Sequence, residues 1–594
     1  MNPLTGSSDD QRSARPLRHA QKVTFDGPVT LVRGETLPVV TVAYETYGEL
    51  DAEGSNAVLL CHALSGDSHV ARHDEADDPG WWDIVVGPGK YIDTERFFVV
   101  CSNVLGGCRG STGPGSVDPE HDQRYGSRFP TVTVEDMVDM QRRLLGHLGL
   151  SRWHAVIGAS LGALQTLAWG VRYPDLLQRA LVIAGGPTLT AQGLAFDVVG
   201  RNAILRDPRF HGGQYYSQGC DPDVGLAIAR MLGHITYLSP ESMAAKFTAD
   251  KYSPRDVDTD FEKRFSVGSY LAYQGDRFVE RFDANSYIAL TIAMDLFDLG
   301  DGDLESAFSR SQCRWLLLSF ATDWLFPPEQ SRQMTEALLR AGKPVSHANV
   351  QSQGGHDAFL LPENLERYGG MIRAFLGPPE ALVDDASPPA ECVLIGPGLD
   401  IQHFLKLIGS GESVLDLGCG DGRVLRALAD HGCAGLVGVE LDEGHVLNCL
   451  RRGFDVVHAD LNQGLPMFGS ARFDVVLLSQ TLQSLVNTEA VVDEVLRVGR
   501  RGIVAFPNFG YRELRQRLLE TGRFPRTGRG PLSLPWYECP SRRFFSLRDW
   551  EEFCADRGIR VERSIYLDTE TNREVTDDPH LNADLVITTI TRQA

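Results

Sequence analysis

The sequence predicts two consecutive α/β domains. Apolar runs of strand length alternate with stretches of helical periodicity on both sides of one proline-rich segment, and this alternation is typical of a sheet covered by helices. The segment itself, LGPPEALVDDASPPAE at 376–391, holds four prolines and has no apolar periodicity, which favours a linker. A chain of 594 residues is also longer than one hydrophobic core usually allows. We therefore expect a first domain over 21–376, a linker over 377–391 and a second domain over 392–594.

Each predicted domain has its own series of candidate strands. Before the linker the runs are NAVLLCHAL, FFVVCSNVL, HAVIGAS, RALVIAGG and RWLLLSF. After the linker they are SVLDLGCG, GLVGVEL, FDVVLLS and GIVAFPN. A long and mainly helical stretch at about 188–305 interrupts the first series, and an insertion of this kind usually covers an active site.

Composition and charge exclude several classes of protein. The net charge of −22 argues against a general nucleic-acid-binding protein. The 11 cysteines form no CxxC pair and no short Cys/His spacing, so we expect reduced thiols in a cytoplasmic protein, with neither a zinc site nor a disulfide framework. Residues 1–20 are polar and lack the apolar core of a signal peptide, which predicts a disordered tail. No stretch reaches the roughly 18 apolar residues of a membrane span, so we expect no membrane partner.

A serine stands between small residues where a strand is predicted to end and a helix to begin. Gly158-x-Ser160-x-Gly162 follows the apolar run HAVI, and this strand–turn–helix context is that of a nucleophile elbow. Glycine has no Cβ to crowd a strained turn or the helix that leaves it. A plain strand–helix turn built from small residues is the alternative interpretation.

A serine nucleophile needs a base, and the base needs an acid that orients it. Asp323 in SFATDWLF follows an apolar strand, and His356 in QGGHDAF follows the next strand-like run. Both are predicted on loops at the carboxyl ends of strands, where α/β sheets place their sites. Taken singly, Asp323 fits a turn carboxylate and His356 an ordinary loop histidine. Their order and context together favour a catalytic triad of Ser160, Asp323 and His356.

The oxyanion of an acyl-transfer reaction needs backbone donors. One is expected to be the N–H of Leu161, directly after the nucleophile. The second is expected from the loop after an earlier strand, LLCHALSGDSH, where Leu64 is the candidate. His62 and His69 in the same loop could suggest a metal site. We predict structural roles for both, because no carboxylate or cysteine cluster accompanies them in the sequence.

Four segments of the first domain resemble the homoserine O-acyltransferase family (MetX) of methionine biosynthesis. They are CHALSGDSH, PGWWDIVVGPGKYIDTERFFVVCSNVLGGCRGSTGP, GHITYLSPESMAAKF and GHDAFL, and the resemblance covers about 20–376. It implies an α/β-hydrolase fold with a helical lid, usually dimeric, and a ping-pong reaction. Ser160 would take an acyl group from acyl-CoA, and the γ-hydroxyl of L-homoserine would accept it. His356 would act as base and acid in turn, with Asp323 orienting it.

The resemblance also implies how the substrates are held. Arg230 and Asp357 match the family's substrate residues, and their charges suit the α-carboxylate and α-amino groups of homoserine. Enzymes that use acetyl-CoA and succinyl-CoA share these motifs, and Arg109 in GGCRGSTGP could bind the extra carboxylate of succinyl-CoA. Because NVLGGCRGSTGP looks more like the acetyl-type members, acetyl-CoA is the predicted donor and succinyl-CoA the alternative. An esterase or thioesterase is a further alternative, since the triad does not distinguish water from homoserine.

The second domain has a glycine-rich turn after its first candidate strand. SVLDLGCGDGRV places Asp416, Gly418 and Gly420 there, and glycines let a backbone approach a nucleotide-like ligand closely. The pattern is not the dinucleotide fingerprint G-x-G-x-x-G but the G-x-G-x-G form of S-adenosylmethionine (SAM)-dependent methyltransferases. Glu440, at the end of the next strand, could take ribose hydroxyls, and Asp460 could lie near an adenine amino group. Each acidic residue alone fits a turn, but the ordered set favours a SAM-type Rossmann-like domain.

The second domain resembles the MetW family over about 392–594. The segments that carry this resemblance are VLDLGCGDGRV, VVLLSQTLQ, RVGRRGIVAFPNFGYRELR and LPWYECP. It implies a methyltransferase-like domain that works with homoserine acyltransferases, and hence an intramolecular contact between the two halves. The domain's role, regulatory or methyltransferase, stays open at this point. A binding module that stabilises or activates the first domain is the non-enzymatic alternative.

Overall fold

The computed structural model describes residues 17–247, 255–256, 263–377, 399–525, 541–571 and 573–593. The chain divides into two compact units, residues 1–376 and 377–594. Most of the predicted tail, nearly all of the predicted linker and the LPWYECP segment lie outside the described residues. No helix in the described part of the chain is long and apolar enough to cross a membrane.

The first unit is built on one eight-stranded sheet. Its strands, with six two-residue strands that pair outside the sheet, are β1 (Gln21–Thr30), β2 (Thr36–Tyr47), β3 (Ala57–Cys61), β4 (Val86–Gly87), β5 (Ile92–Asp93), β6 (Phe98–Ser102), β7 (Val117–Asp118), β8 (Gln123–Arg124), β9 (Ala155–Ala159), β10 (Arg179–Ile183), β11 (Arg255–Asp256), β12 (Lys263–Arg264), β13 (Arg314–Phe320) and β14 (Val345–Val350). The order in the sheet is β1-β2-β6-β3-β9-β10-β13-β14. From β6 to β14 the strands are parallel, and β1 and β2 are antiparallel additions at one edge.

Helices cover this sheet, which explains the continuous apolar runs of its central strands. Every residue of β3 and β9 is buried, as expected for parallel strands packed on both faces. The helices are α1 (Val134–His147), α2 (Leu161–Arg172), α3 (Ala191–Leu205), α4 (Asp223–Tyr237), α5 (Pro240–Phe247), α6 (Ser266–Val279), α7 (Ala284–Asp295), α8 (Leu304–Ser309), α9 (Pro328–Arg340) and α10 (Pro362–Leu376). Helices α3 to α8 all lie between β10 and β13 in the chain, within or next to the stretch predicted to be a helical insertion.

The register of the sheet sets the position of the candidate nucleophile. Gly158 of β9 lies opposite Cys61 of β3, and Ala159 lies opposite Ile183 of β10. Ser160 therefore leaves the sheet at its centre, flanked by the carboxyl ends of two parallel strands. In parallel sheets this edge is where ligands bind.

The second unit contains a mixed sheet of its own. Its strands are β15 (Ser413–Leu417), β16 (Ala434–Glu440), β17 (Asp455–His458), β18 (Phe473–Ser479), β19 (Gly499–Pro507), β20 (Ile559–Asp568), β21 (Arg573–Glu574) and β22 (Leu585–Arg592). Its helices are α11 (Leu399–Leu407), α12 (Arg423–Asp430), α13 (Glu443–Arg451), α14 (Thr488–Val498), α15 (Arg512–Thr521), α16 (Leu547–Asp556) and α17 (Pro579–Asn582). The order is β17-β16-β15-β18-β19-β22-β20-β21, parallel from β17 to β19 and antiparallel from there on. The strand order reverses between β15 and β18. In a doubly wound sheet a ligand-binding crevice opens at such a point.

Candidate active site

Ser160 occupies a strained turn between β9 and α2. Its φ of 57° and ψ of −123° lie outside the regions that residues with a side chain normally adopt. The conformation is held by the backbone, because Ser160 N–H donates to the carbonyl of Ile183 at 3.1 Å and Ala163 N–H donates back to the carbonyl of Ser160 at 2.8 Å. Strain at a single residue that neighbouring structure enforces is typical of a functional site.

The two glycines of the motif are required by close backbone contacts. A Cβ at Gly158 would lie 2.0 Å from the carbonyl oxygen of Gly162, and a Cβ at Gly162 would lie 2.0 Å from that of Cys61. No side-chain movement can relieve a clash with backbone. The alternative of a plain turn that merely prefers small residues does not account for a serine, in particular, at the strained position.

The two predicted oxyanion donors belong to two different segments, and their role as donors stays a prediction. Leu161 is the first residue of α2, where a backbone N–H has no partner within the helix. Leu64 lies in the loop after β3, and hydrogen bonds of the buried His62 ring hold this loop in place. Val104 N–H donates to Nε2 of His62 at 3.2 Å, so the ring hydrogen is on Nδ1, which donates to the carbonyl of Ala63 at 2.8 Å. Burial lowers the pKa of His62 and keeps the ring neutral. His62 thus positions the loop, the kind of structural role that the sequence predicted.

Asp323 and His356 meet across the ends of β13 and β14. Oδ2 of Asp323 lies 2.9 Å from Nδ1 of His356, and both side chains are buried. The second oxygen, Oδ1, accepts from the N–H groups of Leu325 and Phe326, each at 3.0 Å. The carboxylate therefore serves as a turn cap and as the partner of the histidine at once. No hydrogen bond joins Ser160 to His356 among the described residues, so that contact stays a prediction, and such contacts often form only with substrate bound.

The surroundings of His356 suit a general base. Burial alone would lower its pKa, but the charge and hydrogen bond of Asp323, with the charge of Asp357, outweigh burial and raise the pKa above its ordinary value. The ring is enclosed by the aromatic rings of Tyr237, Phe326 and Phe359, with centroids 5.6 to 5.9 Å away. These rings leave Nδ1 of the imidazole in contact with Asp323 and help to keep water away from the imidazole.

Arg230 and Asp357 lie on opposite elements of the same region. Asp357 follows the catalytic histidine in the short helical turn Gly355–Leu360, and α4, which carries Arg230, contacts that turn. Burial raises the pKa of Asp357, and the charges of His356 and Arg230 oppose this effect. The two side chains form no ion pair with each other in the described part of the chain, and their role in holding a substrate stays a prediction.

Two further residues of this region were not predicted from sequence. The guanidinium of Arg230 lies over the ring of Tyr237, 5.8 Å from its centroid, and Tyr237 in turn contacts His356. The spacing of seven between Arg230 and Tyr237 on one helix is the signal that could have identified Tyr237. The positive charge of Lys246, on α5, opposes the rise in the pKa of Asp357, and no spacing along the sequence indicates this interaction.

Two arginines contact the loop after β3 in which Leu64 lies, which we name the oxyanion loop, and they differ in their partners. Arg109, which the sequence offered as a cation for a succinyl carboxylate, is paired with Asp67 at 3.2 Å. Arg281, which the sequence analysis did not identify, donates from Nη1 to the carbonyl of Ser65 at 2.8 Å, one residue after Leu64. Within the described residues no carboxylate lies within ion-pair distance of Arg281. Loss of water around it, and then the nearby cation Arg230, lower the pKa of Arg281.

One reason given for the structural role of His69 is wrong. Carboxylates do accompany it in space, because Glu45 accepts from its Nδ1 at 3.0 Å and Asp77 lies 3.9 Å from its Nε2. Glu45 is 24 positions away along the chain, on β2, so no local sequence pattern indicates this contact. The ring is held at both nitrogens, since Nε2 also lies 2.7 Å from the carbonyl of Asp78.

In the second unit, the glycine-rich turn and Glu440 are brought together. Gly420 N–H donates to Oε2 of Glu440 at 2.7 Å, and the N–H groups of Leu441 and Asp442 donate to Oε1. Burial raises the pKa of Glu440, but the hydrogen bonds from His445 and from these backbone groups outweigh it and lower the pKa, so the carboxylate is charged. Gly418 and Gly420 both have positive φ, at 72° and 54°.

The other two acidic residues of the predicted SAM site have different surroundings. Asp416 is buried near the end of β15. Asp460 caps a short helical turn, where its Oδ1 accepts from the backbone and side-chain nitrogens of Asn462, both at 2.9 Å. The cap is the ordinary turn role weighed for Asp460 in the sequence. SAM binding itself stays a prediction.

Two family descriptions match the chain. Residues 56–362 match the alpha/beta hydrolase fold, and residues 399–588 match the methionine biosynthesis protein MetW. Two solved structures align with the first unit. Esterase E22 is 30% identical, covers 60% of this chain and 100% of its own, and gives a TM-score of 0.55. Homoserine O-acetyltransferase from Bacillus anthracis is 28% identical over 61% of this chain and 98% of its own, with a TM-score of 0.55. The predicted α/β-hydrolase fold is confirmed.

Two curated relatives are more similar in sequence. The homoserine O-succinyltransferase of Halorhodospira halophila is 52% identical over 60% of this chain and 94% of its own. The bifunctional methionine biosynthesis protein MetXA/MetW of Rhodopirellula baltica is 47% identical and covers 100% of this chain and 96% of its own. This second match spans both units in the same order, which confirms the resemblances to MetX and MetW. The chain belongs to the family of bifunctional methionine biosynthesis proteins MetXA/MetW.

Proposed function

We propose that the first unit is a homoserine O-acyltransferase that works through an acyl group carried on Ser160. The observation that carries this proposal is the pairing of a strained serine elbow with a buried Asp323–His356 hydrogen bond at the same edge of one sheet. A charged pair for an amino acid, Arg230 and Asp357, adjoins the histidine. An esterase needs no such pair, so the pair favours transfer to homoserine over hydrolysis.

In the first half-reaction Ser160 attacks the thioester carbonyl of acyl-CoA. Nε2 of His356 takes the proton from the serine hydroxyl, and the developing oxyanion accepts hydrogen bonds from the N–H groups of Leu64 and Leu161. The C–S bond then breaks, and His356 returns its proton to the thiolate of CoA. Asp323 holds the histidine in the tautomer that this exchange requires. The unit is left with an ester between the acyl group and Ser160.

In the second half-reaction homoserine takes the place of CoA. Its α-carboxylate pairs with Arg230 and its α-amino group with Asp357, which directs the γ-hydroxyl at the ester. His356 removes the hydroxyl proton, the C–O bond to Ser160 breaks, and the proton passes to the serine oxygen. The products are O-acyl-homoserine and the free serine, so each cycle balances without a redox step or a metal ion.

Acetyl-CoA is the donor proposed from the sequence. Arg109, the cation considered for a longer and charged donor, is already paired with Asp67. The acetyltransferase of Bacillus anthracis aligns over nearly its whole length, which supports the same donor.

Succinyl-CoA is a second candidate, and two different observations favour it. The Halorhodospira halophila relative, at 52% identity, is a succinyltransferase. Arg281 lies beside the oxyanion loop and has no carboxylate partner in the described part of the chain. A succinyl group carries its carboxylate at the end of a four-carbon chain, so a cation near Leu64 could hold it while the carbonyl occupies the oxyanion site.

For the second unit we propose SAM binding at the glycine-rich turn after β15. The support is the carboxylate of Glu440, which is fixed against that turn at the point where the strand order reverses. SAM bound at this site would serve either a methyltransferase role or a regulatory role. A homodimer, contact between the two units and a cytoplasmic location, all expected from the sequence, belong to this proposal as well.

The deciding experiment measures CoA release with L-homoserine when acetyl-CoA and succinyl-CoA are offered in parallel to the full chain. Homoserine-dependent release with either donor supports the acyltransferase, and the faster donor identifies the acyl group. Release that does not depend on homoserine would replace the proposal with a thioesterase. Calorimetry with SAM, on the full chain and on Glu440→Gln, tests the second unit, because the loss of a charged acceptor should weaken binding about tenfold or more.

A further inference from the structure

Five titratable side chains from three separate segments meet on the first unit, and none of them belongs to the predicted triad. We name them the histidine cluster: His19 before β1, Glu45 on β2, and His69, His73 and Asp77 in the loop after β3. Oδ2 of Asp77 lies 3.1 Å from Nδ1 of His73 and 3.8 Å from Nε2 of His19. Oε2 of Glu45 lies 3.7 Å from the same nitrogen of His73. The cluster shares no residue with the catalytic or substrate-binding groups.

The cluster contains more negative charge than fixed positive charge. The side chain of Glu45 is 0% exposed and that of Asp77 is 6% exposed. Among the described residues every ion pair of these two carboxylates is with a histidine. A buried carboxylate needs a compensating charge. Both ring nitrogens of His69 face acceptors, Glu45 and the carbonyl of Asp78, so this ring carries two hydrogens and one positive charge. One cation does not balance two carboxylates. The site therefore favours either added protons or a bound cation.

The arrangement of donor atoms fits a metal ion. Single ligand atoms of His19, His73 and Asp77 all lie within 4.8 Å of one another. Ligands around tetrahedral zinc are about 3.3 Å apart, because each bond is about 2.0–2.1 Å long. The two distances from Asp77 bracket this value. Two imidazoles with a carboxylate suit zinc and its first-row neighbours, whereas magnesium and calcium prefer oxygen ligands.

A separate observation concerns His19. Its Nε2 is buried and has no hydrogen-bond partner in the part of the chain that the structure describes. A buried ring nitrogen without a partner is costly unless something binds its lone pair or its hydrogen. The nearest charged atom is the Asp77 oxygen, 3.8 Å away, which leaves room for an ion between the two.

We propose that His19, His73 and Asp77 bind one divalent ion, either zinc or a neighbouring first-row metal. Glu45 is the adjoining carboxylate, with Oε2 3.7 Å from Nδ1 of His73, and His69 is a positioning residue that holds Glu45 through Nδ1. Bound metal would tie the segment before β1 to the loop after β3, the loop in which Leu64 lies. The ion would act as a clamp on that loop and take no part in acyl transfer.

Zinc binding to the untagged full-length chain, stripped with a chelator and dialysed, tests the proposal. Titration against a chromophoric chelator should give one tight equivalent per chain, and Co²⁺ in its place should give the visible absorption of a four-coordinate site. His19→Gln, His73→Gln and Asp77→Asn should each weaken binding at least about tenfold. His121→Gln is the matched control, since Asp118, Glu120 and His121 form a similar group within one short turn. That variant should bind zinc as the wild type does.

A second readout guards against variants that fold poorly. Saturating zinc should raise the melting temperature of the wild type and of His121→Gln, but not that of His19→Gln, which changes only the segment before β1. Acyl transfer measured on the same samples separates this proposal from the catalytic one, because loss of zinc with unchanged turnover still supports the clamp. Wild-type chain that binds no zinc more tightly than the His73→Gln variant would overturn it. So would a tight equivalent that survives in all three cluster variants.

Discussion

The carboxylate of Asp323 contacts His356 through one oxygen and its own turn through the other. Oδ2 lies 2.9 Å from Nδ1 of the histidine, whereas Oδ1 accepts two backbone N–H groups at 3.0 Å. The orientation of the imidazole is thus set by a side chain that the backbone itself holds in place. One oxygen of Asp323 therefore orients His356, and the other stabilises the turn that carries Asp323.

Replacing Asp323 by asparagine should remove the first contribution and keep most of the second. The amide oxygen can still accept the two backbone N–H groups, but the amide nitrogen would favour the wrong tautomer of His356. We expect CoA release to fall about 10⁴-fold, with a melting temperature close to that of the wild type. Asp303→Asn is the control, because Asp303 caps α8 by accepting from the N–H of Ser306 at 3.0 Å and is not part of the predicted site. Activity within tenfold of wild type in Asp323→Asn would contradict the triad.

Two substitutions of Ser160 separate chemistry from strain. Both Ser160→Ala and Ser160→Gly remove the nucleophile, so neither should form an acyl-enzyme or release CoA. Glycine adopts the backbone conformation of φ 57° without the penalty that alanine shares with serine. The glycine variant should therefore exceed the alanine variant in free energy of unfolding by about 1 kcal/mol. Urea titrations of the two proteins measure the difference, and equal midpoints would argue against a strained elbow.

The raised pKa of His356 predicts a loss of activity on the acid side. The base must be neutral to take the proton from Ser160, so kcat/KM should decline as pH falls through a value above the ordinary 6.5. Asp357→Asn removes one of the charges that raise this pKa, and its acid limb should move to lower pH. Values of kcat/KM for the donor, measured from pH 5 to 9 at donor concentrations below saturation, test both points. An acid limb that stays in place in Asp357→Asn would show that Asp357 has no influence on the base.

Arg281 should discriminate between donors if it holds a succinyl carboxylate. Arg281→Met removes the charge and keeps a long side chain, so kcat/KM with succinyl-CoA should fall about 10- to 100-fold, while the value with acetyl-CoA stays within about twofold. Arg277→Met is the control on the same helix region, since Arg277 pairs with Glu280 at 3.0 Å. Equal losses with both donors would assign Arg281 to the CoA moiety or to the fold.

The parts of the fold that sequence could predict are those with uniform burial. β3, β9 and β13 are apolar almost throughout because helices cover both of their faces. β1 was not predicted, because most of its residues are exposed and it forms no continuous apolar run. It lies at the sheet edge, and its position depends on antiparallel pairing with β2, which a local pattern does not encode.

The same distinction applies to the site. Ser160 follows β9 directly, and Asp323 and His356 lie in the loops that follow β13 and β14, so a strand pattern and a turn are enough to predict them. Arg281 and Glu45 reach their partners from 216 and 24 positions away. Such contacts depend on how the helical insertion and the antiparallel edge of the sheet pack, and the spacing of the residues along the sequence does not indicate them.

The close contact of three backbone segments around Ser160 has a consequence for how specificity can change. With Gly158 against Gly162 and Gly162 against Cys61, the nucleophile sits where main chains touch, and no substitution there leaves it in place. Arg230, in contrast, is carried on α4, which can be varied without moving the serine, whereas Asp357 follows His356 in the turn 355–360 and that turn has to be kept. New acceptors for this scaffold should therefore be sought by varying the helical cover, with the elbow treated as a fixed point of the design.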